Sequence, residues 1–320
     1  MMVWISFLIA AILVVYAAIK LNVYGDQISQ QTTMSGAMVG GLLIAGATSL
    51  PELTTSVTAV YVDNVDIAVG NMLGSNVFNL LILAGVDLYY RKRQAFNLQD
   101  SRQHIPSILF GIALTTTVII AMLIDDSLTI FNIGIEMFIL VLLYIISVKL
   151  FESEEPDEEI LQSDERLPLN KVIRFFVLSA FTVLVAGSVL SITGDIIAEQ
   201  TGINSSFVGS VLIAASTSLP ELVAVIAAYK LANYAIATGS ILGSNLFNLL
   251  LLAFTDAFYQ KGAILQGVSF SLVTMGLLSL VMMLMMLYVL MRENKPSMIR
   301  YAWPSIVIVI LYFIVSYLTF

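Results

Sequence analysis

One block of this sequence occurs twice. Residues 39–53 read V-G-G-L-L-I-A-G-A-T-S-L-P-E-L, and residues 208–222 read V-G-S-V-L-I-A-A-S-T-S-L-P-E-L. A second match follows each copy: G-N-M-L-G-S-N-V-F-N-L-L from Gly70 and G-S-I-L-G-S-N-L-F-N-L-L from Gly239. Glu52 pairs with Glu221, Ser75 with Ser244, Asn79 with Asn248 and Asp87 with Asp256, all at an offset of 169 residues and without a gap. Identical polar residues at a fixed offset mark an internal duplication, so the two halves of the fold are built alike.

The medium follows from composition. Hydrophobic residues make up 59% and charged residues 11% of the 320 residues, against about 25% charged in soluble domains. Stretches long enough to cross a bilayer as helices recur along the chain. Ten spans are predicted, near 2–20, 35–62, 66–89, 105–124, 130–150, 171–193, 206–230, 234–257, 263–290 and 301–319. The first has no positive leading end and no small-residue cleavage site, so it reads as a membrane helix and not a signal peptide. A polar stretch with E-S-E-E-P-D-E-E inside it separates spans five and six. The expected organisation is a first five-helix repeat over 1–150, an acidic linker over 151–170 and a second repeat over 171–320, with paired motifs at 39–87 and 208–256. Five spans per half is an odd number, so the second half enters the membrane from the opposite side. The fold class is therefore all-α and polytopic, two inverted five-helix repeats, a recurring architecture of secondary transporters.

Orientation is read from the basic residues. In the ten-span reading, thirteen of the 14 Lys and Arg fall on one side and only Lys261 on the other. The positive-inside rule makes the basic side cytoplasmic, placing both termini outside and the 151–170 linker inside a cell membrane. No Cys is present and His104 is the single histidine, which excludes thiolate and multi-histidine metal sites. The net charge of −8 comes mainly from the linker, and the sequence points to no nucleic-acid or protein partner and to no cofactor; the lipid bilayer is the expected surrounding.

Glu52 and Glu221 fall in the middle of apolar spans, where an acidic side chain costs roughly 3 kcal/mol on insertion scales. A proton, a cation or a paired donor must compensate each. Thr48 and Ser49 lie four and three residues before Glu52, hence on its helix face; Thr217 and Ser218 stand likewise before Glu221. Ser75 and Asn79 share a face, as do Ser244 and Asn248. Pro51 and Pro220 break spans two and seven and are expected to free carbonyls near 45–47 and 214–216, which is tolerated at membrane depth where backbone lines a cavity. This all-oxygen set suits hard cations. Taken singly, a Ser or Thr in such a helix serves packing or helix bonding more often than ligation, while Asn79 and Asn248 suit interhelical bonding as well as ligation. Asp87 and Asp256, at span ends, read as solvated or capping residues, His104 as interfacial, and Met282, Met283, Met285 and Met286 as lipid-facing or core packing rather than a soft-metal site. An intramembrane enzyme is a remote alternative, because H-E-x-x-H and G-x-S-x-G are missing and no histidine lies near the serines.

The two T-S-L-P-E-L and two G-S-N-x-F-N blocks resemble the α-repeats of the calcium/cation antiporter superfamily, most of all its prokaryotic sodium/calcium exchangers. The resemblance implies sodium/calcium antiport by alternating access, with spans one and six sliding against the other eight. Carried over by motif position, it makes Glu52 and Glu221 the shared carboxylates and gives Thr48, Ser49, Thr217 and Ser218 ligand roles. It assigns sodium sites to the carbonyls of Ala45 and Ala214 when those helices bend, and to Ser75 and Ser244, with Asn79 and Asn248 filling the last positions. The ions so implied, Ca2+ and Na+ (or H+), are cargo. Three departures from the family pattern stand out: Ala47 and Ser216 replace the Gly before T-S-L-P-E, Val225 replaces a serine kept at Ser56, and Asn occupies both positions where many relatives carry Asp. Two site carboxylates remain. Proton-coupled divalent exchange through the same site is the alternative reading.

Overall fold

In a bilayer, backbone polar groups must be satisfied within the segment, so long apolar stretches become helices. The computed structural model describes residues 2–31, 49–93, 104–124, 128–151, 167–230, 234–291 and 297–319. Its helices are α1 (Met2–Gln31), α2 (Leu50–Tyr61), α3 (Val65–Tyr89), α4 (Ile105–Met122), α5 (Ile135–Phe151), α6 (Leu169–Thr201), α7 (Ser205–Thr217), α8 (Leu219–Lys230), α9 (Tyr234–Phe258), α10 (Phe270–Met291) and α11 (Met298–Thr319). Seven (α1, α3, α4, α6, α9, α10 and α11) are long and apolar enough to cross a membrane, and α7 with α8 makes an eighth, bent by 41°. The 17-residue α5 and the 12-residue α2 stand where the fifth and second spans are expected. Residues 32–48, which lead into α2, lie outside the described residues, so the tenfold count rests there on sequence.

Two ends differ from expectation. Hydropathy places the first and sixth spans near 2–20 and 171–193, whereas α1 reaches Gln31 and α6 reaches Thr201. Hydropathy marks the stretch inside the hydrocarbon, not the end of the helix. At 1.5 Å per residue α6 is about 50 Å long, against roughly 30 Å of hydrocarbon. Its polar extension is held by Asn64, whose Nδ2 donates to Asp195 Oδ1 at 2.6 Å. It stops at Gly202, which adopts φ +70 and donates its N–H to the Ala198 carbonyl, the left-handed exit that glycine allows without a Cβ clash.

Burial sorts the helices into a centre and a rim. The apolar windows of α3 and α9 are 89% and 72% buried, those of α1 and α6 only 28% each. The two helices bearing G-S-N-x-F-N therefore form the core, and α1 and α6 turn apolar faces such as Leu8, Ile12, Phe181 and Leu184 outward. Met282, Met283 and Met286 are buried in the core, as expected. α3 packs on α10 and α11 of the other half, and α9 packs on α4 and α5, so each packing recurs with the halves exchanged. The halves are inverted. Asp66, at the start of α3, accepts from Ser269 N (3.0 Å), which follows the end of α9. α3 thus runs away from the face toward which its duplicate α9 runs.

Asp87 and Asp256 overturn the expectation of solvation, because both are buried. Asp87 accepts from the Tyr301 hydroxyl and from Ser305 Oγ at 3.1 Å. Asp256 accepts from the backbone N–H groups of Gly134 (2.9 Å) and Ile264 (2.6 Å). Gly134 belongs to an unanticipated hairpin, β1 (Thr129–Ile130) and β2 (Ile133–Gly134). Its two turn residues, Phe131 and Asn132, have φ of 56° and 63°, the double left-handed turn that matches strand twist. Neither is the glycine that would announce such a turn. Asp256→Ala leaves two buried amides unpaired, at about 1–3 kcal/mol each. The thermal midpoint in detergent should fall, and fall less for Asp256→Asn, which keeps one acceptor.

Candidate cation-binding site

The site is built where two broken helices meet two continuous ones. Pro51 occupies the first turn of α2, where its missing N–H costs nothing. Ser49 precedes that helix without making a side-chain cap bond. The duplicate break falls at Ser218, between α7 and α8. Upstream of it Val208–Ile213 is π-helical, a widening common at functional sites. That widening brings α7 backbone against α3: a Cβ on Gly74 would lie 2.2 Å from the Ser210 carbonyl oxygen.

Glu52 is 1% and Glu221 3% exposed. Glu52 faces Glu221 across the repeats, with the Thr217 and Ser218 hydroxyls beside it. Among the described residues, neither Glu52 oxygen has a hydrogen bond of good geometry, and the same holds for Glu221 Oε2, Ser49 Oγ, Ser218 Oγ, Asn79 Oδ1 and Asn248 Oδ1. Buried polar atoms are ordinarily paired. These seven oxygens, on six residues of the two repeated motifs, are the donor set a cation would complete; Ser210 Oγ of the second copy is also buried without a partner. Among the described residues no three carboxylate, His or Cys side chains cluster, so the fixed charge of the site is that of two glutamates.

Five of the predicted residues, Glu52, Glu221, Thr217, Ser218 and Ser75, come together. Ser75 Oγ lies 3.4 Å from Thr217 Oγ1, joining α3 of one half to α7 of the other. Ser49, Ser75, Asn79, Thr217, Ser218, Ser244 and Asn248 are all buried. Thr48 and Ala45 lie outside the described residues. One expectation is corrected. The Ala214 carbonyl is not freed by Pro220: it accepts Ser218 N–H at 3.0 Å and the Thr217 hydroxyl at 3.2 Å. The missing proline N–H concerns the carbonyl four residues back, which is that of Ser216.

Asn71 was missed. Its Nδ2 donates toward the Glu52 carbonyl (3.1 Å), Thr55 Oγ1 (2.6 Å) and Ser56 Oγ (2.9 Å), while Ser56 Oγ donates to the Ala68 carbonyl (3.1 Å). This ties the Glu52 turn to α3. At the duplicate positions stand Ser240, Ala224 and Val225, which cannot repeat it. The clue was present in G-N-M-L-G-S, but its partners lie fifteen to nineteen residues upstream. Asn71→Leu should lower the thermal midpoint, through roughly 1–3 kcal/mol of lost pairing, and weaken cation uptake. Ser240→Leu should do neither to the same extent.

The comparisons with known proteins agree with this geometry. A family profile described as "Sodium/calcium exchanger protein" matches residues 2–151 and 171–320. The chain belongs to that family, which comprises integral-membrane cation antiporters and not enzymes. Among relatives, the inner membrane protein YrbG of Escherichia coli is 27% identical over 80% of both chains. The Ca(2+)/H(+) antiporter ChaA of Bacillus subtilis is 27% identical over 71% of this chain and 69% of its own. The same fold is seen in the H+/Ca2+ exchanger CAX (TM-score 0.66, 16% identity, 99% of this chain and 88% of that one). It is seen too in the sodium–calcium exchanger NCX_Mj (TM-score 0.59, 22% identity, 98% and 97%).

Proposed function

We propose that this chain exchanges sodium for calcium across the cell membrane, extruding calcium at the expense of an inward sodium gradient. The observation that carries this reading is the facing pair Glu52 and Glu221, buried at the meeting point of two inverted halves with neutral oxygens around it. Two carboxylates neutralise one divalent ion, two sodium ions or two protons. The loaded states are alike in charge, whereas the empty site is doubly negative and costly to carry through a low dielectric. Exchange is thereby obligatory, and with two sodium ions it is electroneutral. The ligands are Glu52, Glu221, Thr48, Ser49, Thr217, Ser218, Ser75, Ser244, Asn79 and Asn248, with the Ala45 and Ala214 carbonyls joining if their helices bend.

Alternating access uses the rim. α1 and α6 pack along one another and onto α2, α7 and α8, so this pair covers the broken helices and can slide over them. In this reading the halves are 1–150 and 171–320, joined by a cytoplasmic linker over 151–170, and both termini are outside. Segments that this reading assigns to one common side do meet. Lys261 pairs with Asp63 at 2.7 Å, and Ser206 Oγ donates to Asp66 Oδ2 at 3.1 Å.

Proton-coupled calcium exchange is the second reading, favoured by the likeness to CAX and ChaA. Calcium-45 uptake into proteoliposomes separates the two. Uptake that requires internal sodium, is unaffected by membrane voltage and fails with internal potassium supports the first. Uptake driven by an acidic interior without sodium supports the second. The absence of calcium flux under either gradient in folded protein overturns both.

A further inference from the structure

At the centre of the molecule four asparagine side chains, two from each repeat, bond to one another in a closed set. Asn76 Nδ2 donates to the Asn245 carbonyl and Asn245 Nδ2 to the Asn76 carbonyl, both at 3.1 Å. Asn79 Nδ2 donates to Asn245 Oδ1 at 3.0 Å, and Asn248 Nδ2 donates to Asn76 Oδ1 at 3.1 Å. All four are at most 1% exposed. The bonds obey the repeat symmetry and cross it, since each half supplies the acceptor for the other half's amide.

This arrangement leaves one atom of each outer amide unused. Asn79 Oδ1 and Asn248 Oδ1 are buried without a hydrogen-bond partner, one helical turn from Ser75 and Ser244 on the same helix faces. A carboxamide has an acceptor end and a donor end of nearly equal size. Turned by 180°, the same residue presents two N–H groups and repels a cation. The steric cost of that flip is small, so only the neighbouring hydrogen bonds decide which end faces the site.

We propose that Asn76 and Asn245 are positioning residues, which lock Asn248 and Asn79 respectively in the orientation that presents Oδ1 to the transported cation. Asn76 and Asn245 are themselves locked, because each spends its own N–H2 on the other's backbone carbonyl and so has only Oδ1 left to offer. Asn79 and Asn248 thereby act as oxygen ligands without adding charge to the two glutamates. The inference rests on the reading of Asn79 and Asn248 as ligands of an exchange site.

An aspartate at the ligand position presents an oxygen whichever way it is turned, and this supplies the test. Calcium KM and maximal rate are measured in proteoliposomes for Asn76→Ala, Asn248→Asp, Asn79→Asp and the doubles. In the native background Asn76→Ala should raise KM on the order of tenfold while the maximal rate changes little. In the Asn248→Asp background the same change should alter KM less than about twofold; in the Asn79→Asp background it should keep its full effect. The mirror set holds as well: Asn245→Ala is rescued by Asn79→Asp and not by Asn248→Asp. A structural role predicts equal losses in every background, and that result overturns the proposal, as does an unchanged KM in Asn76→Ala. Asn76→Leu, close in shape to Asn, replaces Asn76→Ala if the smaller side chain prevents folding, and the same ratios are read. Native protein without calcium flux under either gradient defeats the exchange reading. Flux without the crossed rescue defeats this inference alone.

Discussion

Replacing Glu52 or Glu221 with glutamine should reduce cation exchange to the background of empty liposomes while leaving the protein at least as stable as before. The two effects have one cause. A carboxylate 4 Å from a unit charge at an effective dielectric of 20 is worth about 4 kcal/mol, or nearly three orders of magnitude in affinity, and a divalent ion feels it twice over. Glutamine keeps the shape and removes that attraction. In the empty protein, however, Glu52 is buried against Glu221, so removing the charge relieves desolvation and repulsion. Each variant should lose calcium-45 exchange by at least about a hundredfold, with a thermal midpoint equal to or above that of the native protein. A lower midpoint together with residual transport would mean that the glutamates hold the helices and do not bind the ion.

The second large effect is steric and runs the other way. An alanine at Gly74 would place its Cβ 2.2 Å from the Ser210 carbonyl oxygen and 2.4 Å from its Cα. Those are backbone atoms on the π-helical turn of α7, which cannot rotate aside as a side chain would. α3 and α7 must separate, and overpacking of this kind costs about 1–3 kcal/mol or more. Ser75, one residue on, would also lose its approach to Thr217, now 3.4 Å. Gly74→Ala should therefore lower the thermal midpoint by several degrees and abolish exchange together. Gly85, in the same helix, has nothing within 4 Å of an added Cβ. Gly85→Ala should be neutral or stabilising by up to about 1 kcal/mol. Scanning fluorimetry of the two purified variants, with uptake measured in parallel, checks both; similar behaviour of the two would contradict the close approach of α3 to α7.

Much of the candidate site was legible because duplication filters chance. Any one hydroxyl in an apolar helix reads as packing, but Ser49 and Ser218, Glu52 and Glu221, and Asn79 and Asn248 recur at one offset, and each of the six has an oxygen among the buried atoms left without a partner. Helix ends were less legible. Hydropathy ended α6 near 193, because Asp195 and Glu199 resemble a loop until Asn64 is seen to hold one of them. Asp87 and Asp256 misled for the same reason: a span-end carboxylate looks solvated when its donors, Tyr301, Ser305 and the amides of Gly134 and Ile264, lie in distant sequence.

By itself the sequence determined the medium, the duplication and the residue types of the candidate site. Each of these is a property of residue type and periodicity: apolar length sets the spans, the constant offset sets the repeats, and an acidic group in an apolar helix must be compensated. The tertiary structure alone decided which buried groups are spent on other groups of the protein and which are left without a partner. Ala214 gives both lone pairs to Ser218 and Thr217, Asn71 ties down one half and has no counterpart in the other, and Asn76 and Asn245 hold the amides of Asn248 and Asn79. A hydrogen bond is a relation between groups brought together from far along the chain, so no single residue or local pattern records it before the helices pack.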